Sequence, residues 1–344
     1  MDNKCVHCGI SFQIHHSGYL FVWSHEKLSS PFEKEDNECW RYEYDTIHNL
    51  ENILSKLEVQ FGEKCREIKC GLTRKSKKPY TTYTLKNLKA RVANKELVEV
   101  IQNGELISHI QPIIDLQQAN QIYGYESLLR TNQEKPVPPG MLFKAAEETG
   151  MLSLLDQRAR EAAIKARKKF IKEGVKSFIN FLPSTIYNPD FCLRHTFYLV
   201  DLYEINPNDL VFEVVETEKI EDIDHLKSVL STYKREGMKV ALDDVGSGFS
   251  TLETLKLLNP DYVKIDRSYV DHCDQNSEKQ RFLLNVLQIS RDLGIKVLAE
   301  GIERKEELEF CQSIGVDLAQ GYFIGKPSNP AINGGELVGV RSLT

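Results

Sequence analysis

Residues 239–250 read Lys-Val-Ala-Leu-Asp-Asp-Val-Gly-Ser-Gly-Phe-Ser. The short apolar run 240–242 predicts a β-strand, and Asp243 and Asp244 follow it without a spacer. Adjacent carboxylates at the end of a buried strand are costly to remove from water unless a cation lies between them. The two glycines that follow permit a mobile loop, and they complete neither of the common phosphate-binding glycine motifs. We therefore expect a metal-binding loop after a buried strand.

From about residue 106 onward, short apolar runs alternate with amphipathic stretches, as in the βα units of a mostly parallel sheet. The apolar runs predict eight strands at 106–114, 122–128, 178–181, 210–215, 240–242, 262–265, 297–299 and 318–323. The amphipathic stretches predict helices at 140–149, 154–172, 222–235, 278–292 and 305–314. Eight strands with intervening helices predict an α/β fold, a TIM-like (β/α)8 barrel.

A polar side chain stands at or near the end of most of these predicted strands. These residues are Glu126, Asn180, Glu213, Asp243 with Asp244, Lys264, Glu300 and Gln320. In a barrel the carboxyl ends of the strands converge, so these side chains should surround one pocket. Clustered carboxylates repel one another unless cations neutralise them, and oxygen ligands suit Mg²⁺ or Mn²⁺. Any single one of these residues is better explained as a turn residue or a helix N-cap, but seven such strand ends together favour a site.

The charge divides the chain into two parts. Residues 1–95 carry 16 Lys or Arg and 12 Asp or Glu, and the remainder carries 28 and 38, so the net charges are +4 and −10. We therefore predict two domains, 1–95 and 96–344. With 41% hydrophobic and 27% charged residues, the composition is that of a globular protein. No apolar run approaches the roughly 18 residues of a membrane span, so we expect a cytoplasmic protein.

A basic stretch ends the first part. Residues 71–95 contain eight Lys or Arg and no acid, and Pro79 interrupts any helix there. We interpret the stretch as a solvated linker, with a patch for an anionic surface as the alternative. Tyr80 and Tyr83 lie within it, but we do not expect nucleic acid as a partner.

Five of the eight cysteines fall in the first 70 residues. Cys5 with Cys8, and Cys65 with Cys70, resemble the two knuckles of a zinc ribbon, although the second pair is spaced more widely than usual. A structural Zn²⁺ would then hold together a small N-terminal α+β domain. Substitutes for one ligand are Cys39, His7 and His15. The alternative is a set of reduced, unpaired cytosolic thiols.

Motifs across residues 97–330 resemble the EAL-domain phosphodiesterases, which hydrolyse the bacterial second messenger cyclic di-GMP. Residues 126–130, Glu-Ser-Leu-Leu-Arg, are similar to the signature Glu-Ala-Leu-x-Arg, with Ser127 in place of alanine. The loop that begins at Asp243 is similar to Asp-Asp-Phe-Gly-Thr-Gly-Tyr-Ser and differs from it at three positions. Further matching segments are 111–113, 261–266, 299–303 and 320–323.

The resemblance implies a barrel whose first strand runs antiparallel to the others and a site with two divalent cations, Mg²⁺ or Mn²⁺. The implied ligands are Glu126, Asn180, Glu213, Asp243 and Glu300 for one cation, and Asp243 and Asp244 for the second. The implied catalytic residues are Lys264, which would hydrogen-bond the attacking water, Glu300, Glu303 and Glu216, which would anchor the loop after Asp243. The implied substrate contacts are Gln111, Arg130 and Gln320.

The function that the resemblance implies is hydrolysis of cyclic di-GMP to linear pGpG by metal-activated water. It also implies a homodimer formed through this domain, with residues 1–95 as a regulatory module. The alternative is an inactive domain that binds cyclic di-GMP as a receptor and signals to a partner protein. None of the implied ligands is replaced, so the sequence favours the enzyme. No GGDEF cyclase signature is visible in residues 1–95, so synthesis of the messenger is not predicted.

Overall fold

A computed structural model describes residues 12–118, 120–215, 222–245 and 252–329, apart from the side chains of 244, 245 and 252–254. The chain divides into two compact units. The first comprises Met1–Glu105 with Thr131–Gln157, and the second comprises Leu106–Arg130 with Arg158–Thr344. The first unit thus takes in 131–157, which charge and composition grouped with the later part of the chain. The domain boundary near residue 95 stays a prediction.

The first unit contains a five-stranded sheet in the order β2-β3-β1-β4-β5, and its described pairings are antiparallel. Its strands are β1 (Gly18–Trp23), β2 (Glu33–Lys34), β3 (Cys39–Tyr44), β4 (Lys69–Thr73) and β5 (Tyr83–Thr84). Its helices are α1 (Ile47–Phe61), α2 (Leu85–Ala93), α3 (Lys95–Asn103) and α4 (Pro139–Glu148). Sheet and helices together confirm the expected small N-terminal α+β region.

Local sequence explains where the first two of these helices begin. The side chain of Thr46 accepts a hydrogen bond from the backbone N–H of Asn49, and Thr84 does the same for Asn87, so each threonine caps a helix. The buried residues of α1 recur at helical spacing: Leu50, Ile53, Leu54, Leu57 and Phe61. The helix therefore presents one apolar stripe to the core of the unit.

The second unit contains a closed eight-stranded barrel in the order β10-β11-β12-β13-β6-β7-β8-β9. Its strands are β6 (Leu106–Asp115), β7 (Gln121–Thr131), β8 (Lys176–Phe181), β9 (Leu210–Val214), β10 (Lys239–Val245), β11 (Tyr262–Ile265), β12 (Lys296–Ala299) and β13 (Leu318–Ala319). The strands from β7 to β13 pair in parallel, and β6 pairs antiparallel with β13. Both the barrel and its antiparallel first strand are confirmed.

The helices that follow α4 are α5 (Leu152–Phe170), α6 (Pro189–Cys192), α7 (Arg194–Leu202), α8 (Ile223–Arg235), α9 (Leu252–Leu258), α10 (Arg267–Val270), α11 (Ser277–Leu293) and α12 (Lys305–Ile314). The predicted helices at 154–172, 222–235, 278–292 and 305–314 correspond to α5, α8, α11 and α12. Sequence periodicity missed the other four, which are nine residues or shorter. In the described part of the chain, no helix combines the length and the apolar character that crossing a bilayer requires.

The barrel strands separate two layers of apolar side chains, because successive residues of a strand point to opposite faces. The larger layer joins the outer strand faces to the helices and includes Ile179, Phe212 and Val240. The inner layer fills one end of the barrel with Ile113, Phe178, Val211, Ala241, Tyr262, Leu298 and Leu318. This apolar plug leaves the other end of the barrel to polar residues.

Candidate functional site

The strand alternation that builds the inner apolar layer also positions the polar residues. Asn180, Glu213, Asp243, Lys264, Glu300 and Gln320 each lie two residues after a member of that layer. A spacing of two returns a side chain to the same face of a strand, about 6.6 Å further along. These six residues therefore face the interior at the carboxyl end of the barrel, where the predicted pocket lies.

Lys264 lies at the centre of this pocket and is only 1% exposed. Its Nζ is 2.7 Å from Glu300 Oε1 and 3.1 Å from Asp243 Oδ1. It is 3.2 Å from Glu213 Oε1 and 3.7 Å from Glu126 Oε1. We call these five side chains the Lys264 cluster. With all five groups ionised, four negative charges surround one positive charge.

The charge excess alters the ionisation of the cluster. Burial opposes the charge on Lys264, but the carboxylates, led by Asp243, raise the pKa of Lys264 well above its ordinary value. Burial raises the pKa of Glu213 well above its ordinary value, and the neighbouring carboxylates add to this against the effect of Lys264. The pKa of Glu300 is raised in the same way. Lys264 therefore stays an ammonium ion, whereas Glu213 and Glu300 keep their protons to higher pH than usual unless further positive charge is bound beside them.

Glu213 carries the strongest sign of a cation site. It is 0% exposed, and neither of its carboxylate oxygens accepts a hydrogen bond from the described part of the chain. Buried polar atoms in proteins are nearly always hydrogen-bonded, so a buried carboxylate whose one close partner is an ion pair with Lys264, without a hydrogen bond, leaves room for a further partner. The oxygens of four carboxylates and an amide are the donor set that Mg²⁺ and Mn²⁺ prefer. The chemistry of these donors therefore fits a hard divalent cation.

A chain of amide side chains orients Glu126. Asn180 Nδ2 donates to Glu126 Oε1 at 2.9 Å, and Gln320 Nε2 donates to Glu126 Oε2 at 2.8 Å. Gln320 Nε2 also donates to Gln111 Oε1 at 3.1 Å, and Gln111 Nε2 donates to the carbonyl oxygen of Gly325 at 3.0 Å. Hydrogen bonds thus join four of the residues singled out in the sequence into one network. Both carboxylate oxygens of Glu126 accept a hydrogen bond in it.

Glu303 lies in the turn that follows Glu300. Its Oε1 is 2.9 Å from Arg267 Nη2, and its backbone N–H donates to Glu307 Oε2 at 3.0 Å. Gly301 has φ +71, a conformation that favours glycine, and an added Cβ there would meet the Arg267 side chain at 2.4 Å. The described contacts of Glu303 therefore support this turn rather than the Lys264 cluster.

The structure describes the remaining predicted site residues only in part, or not at all. Arg130 is half-buried on β7, and its Nη1 donates to the carbonyl oxygen of Leu129 at 2.7 Å. The backbone of Asp244 belongs to β10, but its side chain lies outside the described residues, as does Glu216. The catalytic role of Glu216 and the ligand role of Asp244 stay predictions.

The zinc prediction concerns the first unit. Cys5 and Cys8 lie outside the described residues, and Cys65 and Cys70 are both buried. Burial raises the pKa of Cys65 and of Cys70, so without a metal both stay protonated thiols. Cys65 Sγ lies 3.8 Å from the carbonyl oxygen of Glu58. The zinc ribbon stays a prediction.

Ser127, the departure from the signature, does not face the pocket. It follows Glu126 on β7, so its side chain points to the opposite face of the strand. Its Oγ is buried and has no hydrogen-bond partner in the part of the chain that the structure describes. The serine hydroxyl therefore does not reach the Lys264 cluster.

Residues 94–327 match the family model described as EAL domain. The chain is 35% identical over 243 residues to the probable cyclic di-GMP phosphodiesterase PdeG of Escherichia coli K12, covering 67% of this chain and 46% of PdeG. It is 27% identical over 267 residues to the signaling protein YkoW of Bacillus subtilis 168, covering 74% of this chain and 32% of YkoW. The chain therefore spans about half or less of the length of these relatives.

A solved structure resembles most of this chain. It is a standalone versatile EAL protein from Vibrio cholerae O395 in its c-di-GMP bound form, 31% identical, with a TM-score of 0.62. The likeness covers 70% of this chain and 97% of the Vibrio protein. The family match, the barrel with its antiparallel first strand and the strand-end residues agree, and the chain belongs to the EAL-domain family.

Proposed function

We propose that this chain hydrolyses cyclic di-GMP to linear pGpG, and the excess of carboxylates around Lys264 is the observation that carries the proposal. A relative at 35% identity bears the name probable cyclic di-GMP phosphodiesterase, and a protein at 31% identity has been solved in its c-di-GMP bound form. A pocket with four carboxylates repels a phosphodiester anion unless cations are bound first. Divalent cations bound in the pocket would neutralise the carboxylates and allow the anionic substrate to enter.

The side chains that would hold the cations are those of the Lys264 cluster and its neighbours. Glu126, Asn180, Glu213, Asp243 and Glu300 would hold one cation, and Asp243 with Asp244 would hold the second. Mg²⁺ or Mn²⁺ held by these residues would lower the pKa of water, so that hydroxide becomes available as the nucleophile, and would neutralise charge on the phosphoryl oxygens. Asn180 and Gln320 hold Glu126 by its two oxygens and thereby fix its orientation.

Lys264 would position the attacking water and stabilise negative charge. Because its pKa is raised, it remains an ammonium ion with three N–H donors and cannot serve as a general base. If the carboxylates also held cations, one of the Lys264 N–H donors would be available to the water. Arg130 and Gln111 would contact the substrate, since a guanidinium binds phosphate oxygens through two parallel hydrogen bonds. The turn held by Glu303 and Arg267 keeps Glu300 in place.

Hydrolysis is tested directly by incubating the full chain with cyclic di-GMP and Mg²⁺ or Mn²⁺ and separating the nucleotides by chromatography. We expect pGpG to appear and EDTA to stop its formation. Glu126→Ala should lower the rate more than about 100-fold, because even indirect supports of metal ligands cost 10- to 100-fold. Glu309→Ala, on the exposed face of α12, is the matched control and should retain the wild-type rate.

A receptor is the alternative outcome of the same experiment. Tight binding of cyclic di-GMP without pGpG, at saturating Mg²⁺ and Mn²⁺, would replace the enzyme with a binding module. The departure at Ser127 does not favour that outcome, because its side chain faces away from the pocket. A cytoplasmic location, a regulatory role for residues 1–95 and a homodimer formed through the EAL domain belong to the proposal. Light scattering of the full chain tests the dimer.

A further inference from the structure

The antiparallel direction of β6 places its first half at the mouth of the barrel. Asp115 pairs with Leu318, and Ile114 pairs with Ala319. Residues earlier in β6 therefore lie further toward the carboxyl end of β13. Gln111 accordingly meets Gln320 at 3.1 Å, next to Glu126. His109 lies two residues beyond Gln111 in this direction, nearer the open end of the pocket.

Strand alternation also assigns His109 to the inner face of β6. Ile110 belongs to a separate apolar cluster with Tyr125 and Ile171, whereas Gln111 faces the barrel interior. His109 shares the face of Gln111, because residues two apart on a strand point the same way. It is half-buried, and the described part of the chain gives it no hydrogen-bond partner.

Arg130 is the neighbouring cation. It lies four residues after Glu126 on β7 and therefore on the same inner face, two same-face positions further toward the mouth. Burial, and then the nearby Arg130 guanidinium, lower the pKa of His109. Near neutral pH the imidazole is therefore uncharged and has one N–H donor. By strand position both residues therefore lie on the inner face of the barrel, further toward its mouth than Gln111 and Glu126.

We propose that His109 is a substrate-contact residue, whose imidazole N–H binds, together with Arg130, the phosphodiester group of the cyclic dinucleotide that is not cut. This proposal rests on the proposed function. The substrate carries two phosphodiesters, and the bond to be hydrolysed must lie at the Lys264 cluster. A second anionic group then requires donors elsewhere in the pocket, and His109 with Arg130 supplies them. Because the contact is remote from the reacting bond, it should affect binding of substrate more than turnover.

The test compares His109→Phe, which keeps a planar ring without a donor, with His109→Asn, which keeps an N–H donor. His195→Phe, at another half-buried histidine on α7, is the matched control. We expect His109→Phe to raise KM for cyclic di-GMP about tenfold, as loss of one charge-assisted hydrogen bond does, with kcat within about twofold. His109→Asn and His195→Phe should keep KM within about threefold of wild type.

Three results would overturn the proposal. They are an unchanged KM in His109→Phe, a fall in kcat at unchanged KM, and equal KM values for His109→Phe and His109→Asn. Pairing His109→Phe with Arg130→Ala adds a further check, because residues that share one phosphate should lose less together than the product of their separate losses. If His109→Phe does not fold, His109→Gln takes its place.

The failure of this inference is distinguishable from failure of the proposed function. If the wild type hydrolyses no cyclic di-GMP, the proposed function fails, and the same variants are compared by the Kd for cyclic di-GMP. A tenfold weaker Kd in His109→Phe then supports the contact. Equal Kd values, or no measurable binding by the wild type, overturn it.

Discussion

Two buried cations, one in each unit, have opposite surroundings. Lys264 is 1% exposed, and its Nζ lies within 3.7 Å of four carboxylates. Arg91 is 7% exposed, and its Nε donates to the carbonyl oxygen of Thr149 at 2.7 Å. The Arg91 guanidinium also lies 4.0 Å from the centre of the Tyr83 ring, in a cation–π contact. Charge surrounds the lysine, whereas neutral groups surround the arginine.

The contrast is between a buried cation that lies among opposite charges and one that lies among neutral groups. Burial lowers the pKa of Arg91, with a partial opposing effect from Tyr83, whereas the carboxylates raise the pKa of Lys264. Carbonyl oxygens accept hydrogen bonds from the Arg91 guanidinium, and an aromatic ring lies against it. These partners carry no charge, so the described surroundings of Arg91 contain no excess negative charge that would attract a metal ion. With its four carboxylates ionised, the Lys264 cluster has excess negative charge after its only described cation is counted, and a bound metal ion would neutralise that excess.

The largest effect is expected at Lys264. Lys264→Met removes the cation and leaves four buried carboxylates facing one another, which should lower the free energy of unfolding of the metal-free protein by about 3–5 kcal/mol. Hydrolysis should fall more than about 100-fold. Chemical denaturation with EDTA and with saturating Mg²⁺ checks this, and Mg²⁺ should recover much of the lost stability. A variant as stable as wild type in EDTA would contradict the charge imbalance.

Arg91→Met tests the other side of the comparison. The buried carbonyl oxygens of Thr149 and Gly150 lose their donor, so the free energy of unfolding should fall by about 2–3 kcal/mol. Mg²⁺ should not restore this loss, and the KM of the folded protein should be unchanged. Lys86→Met, at an exposed position of the same helix, is the control. If Mg²⁺ restored the stability of Arg91→Met, the proposed difference between Arg91 and Lys264 would be contradicted.

The raised pKa of Glu213 makes the stability of the metal-free protein depend on pH. A carboxyl whose pKa is higher in the folded state than in the unfolded state contributes stability to the fold at low pH. This contribution is fully present below the pKa of the unfolded state and is lost as the pH rises through the pKa of the folded state. Denaturation in EDTA should therefore show wild type losing stability from acid toward neutral pH relative to Glu213→Gln, which cannot ionise. Saturating Mn²⁺ should remove this loss. If the stability of the two proteins in EDTA depended on pH in the same way, the raised pKa of Glu213 would be contradicted.

The smallest effect is expected at Ser127. Its buried hydroxyl has no described partner, so Ser127→Ala should raise the free energy of unfolding by up to about 1 kcal/mol. Since the side chain faces away from the Lys264 cluster, kcat and KM should stay within about twofold of wild type. Thermal melting and steady-state kinetics measure both. A large loss of activity would place the serine in the site after all.

The barrel and its pocket were predictable because one physical rule produces both. Alternation along a strand puts Phe178 in the apolar plug and Asn180 in the pocket, and the same spacing relates Val211 to Glu213. That rule also identifies the outward direction of Ser127 and the inward direction of His109, which motif comparison did not.

Other features depend on contacts that sequence periodicity does not encode. The helix α7 spans nine residues and was missed, because two turns carry too weak a pattern. The buried position of Arg91 was hidden in a stretch interpreted as a solvated basic linker. Its partners, Thr149 and Gly150, lie 58 and 59 residues away along the chain, so only tertiary packing reveals that this cation is enclosed.

The most direct measurement is the number of Mn²⁺ ions that the full chain binds, obtained by electron paramagnetic resonance of free Mn²⁺ during a titration in the presence of cyclic di-GMP. We expect two ions per chain for the wild type and loss of at least one in Glu213→Ala. Absence of Mn²⁺ binding by the wild type at millimolar concentration, or equal binding by the variant, would contradict the claim that the carboxylate excess around Lys264 is a metal site.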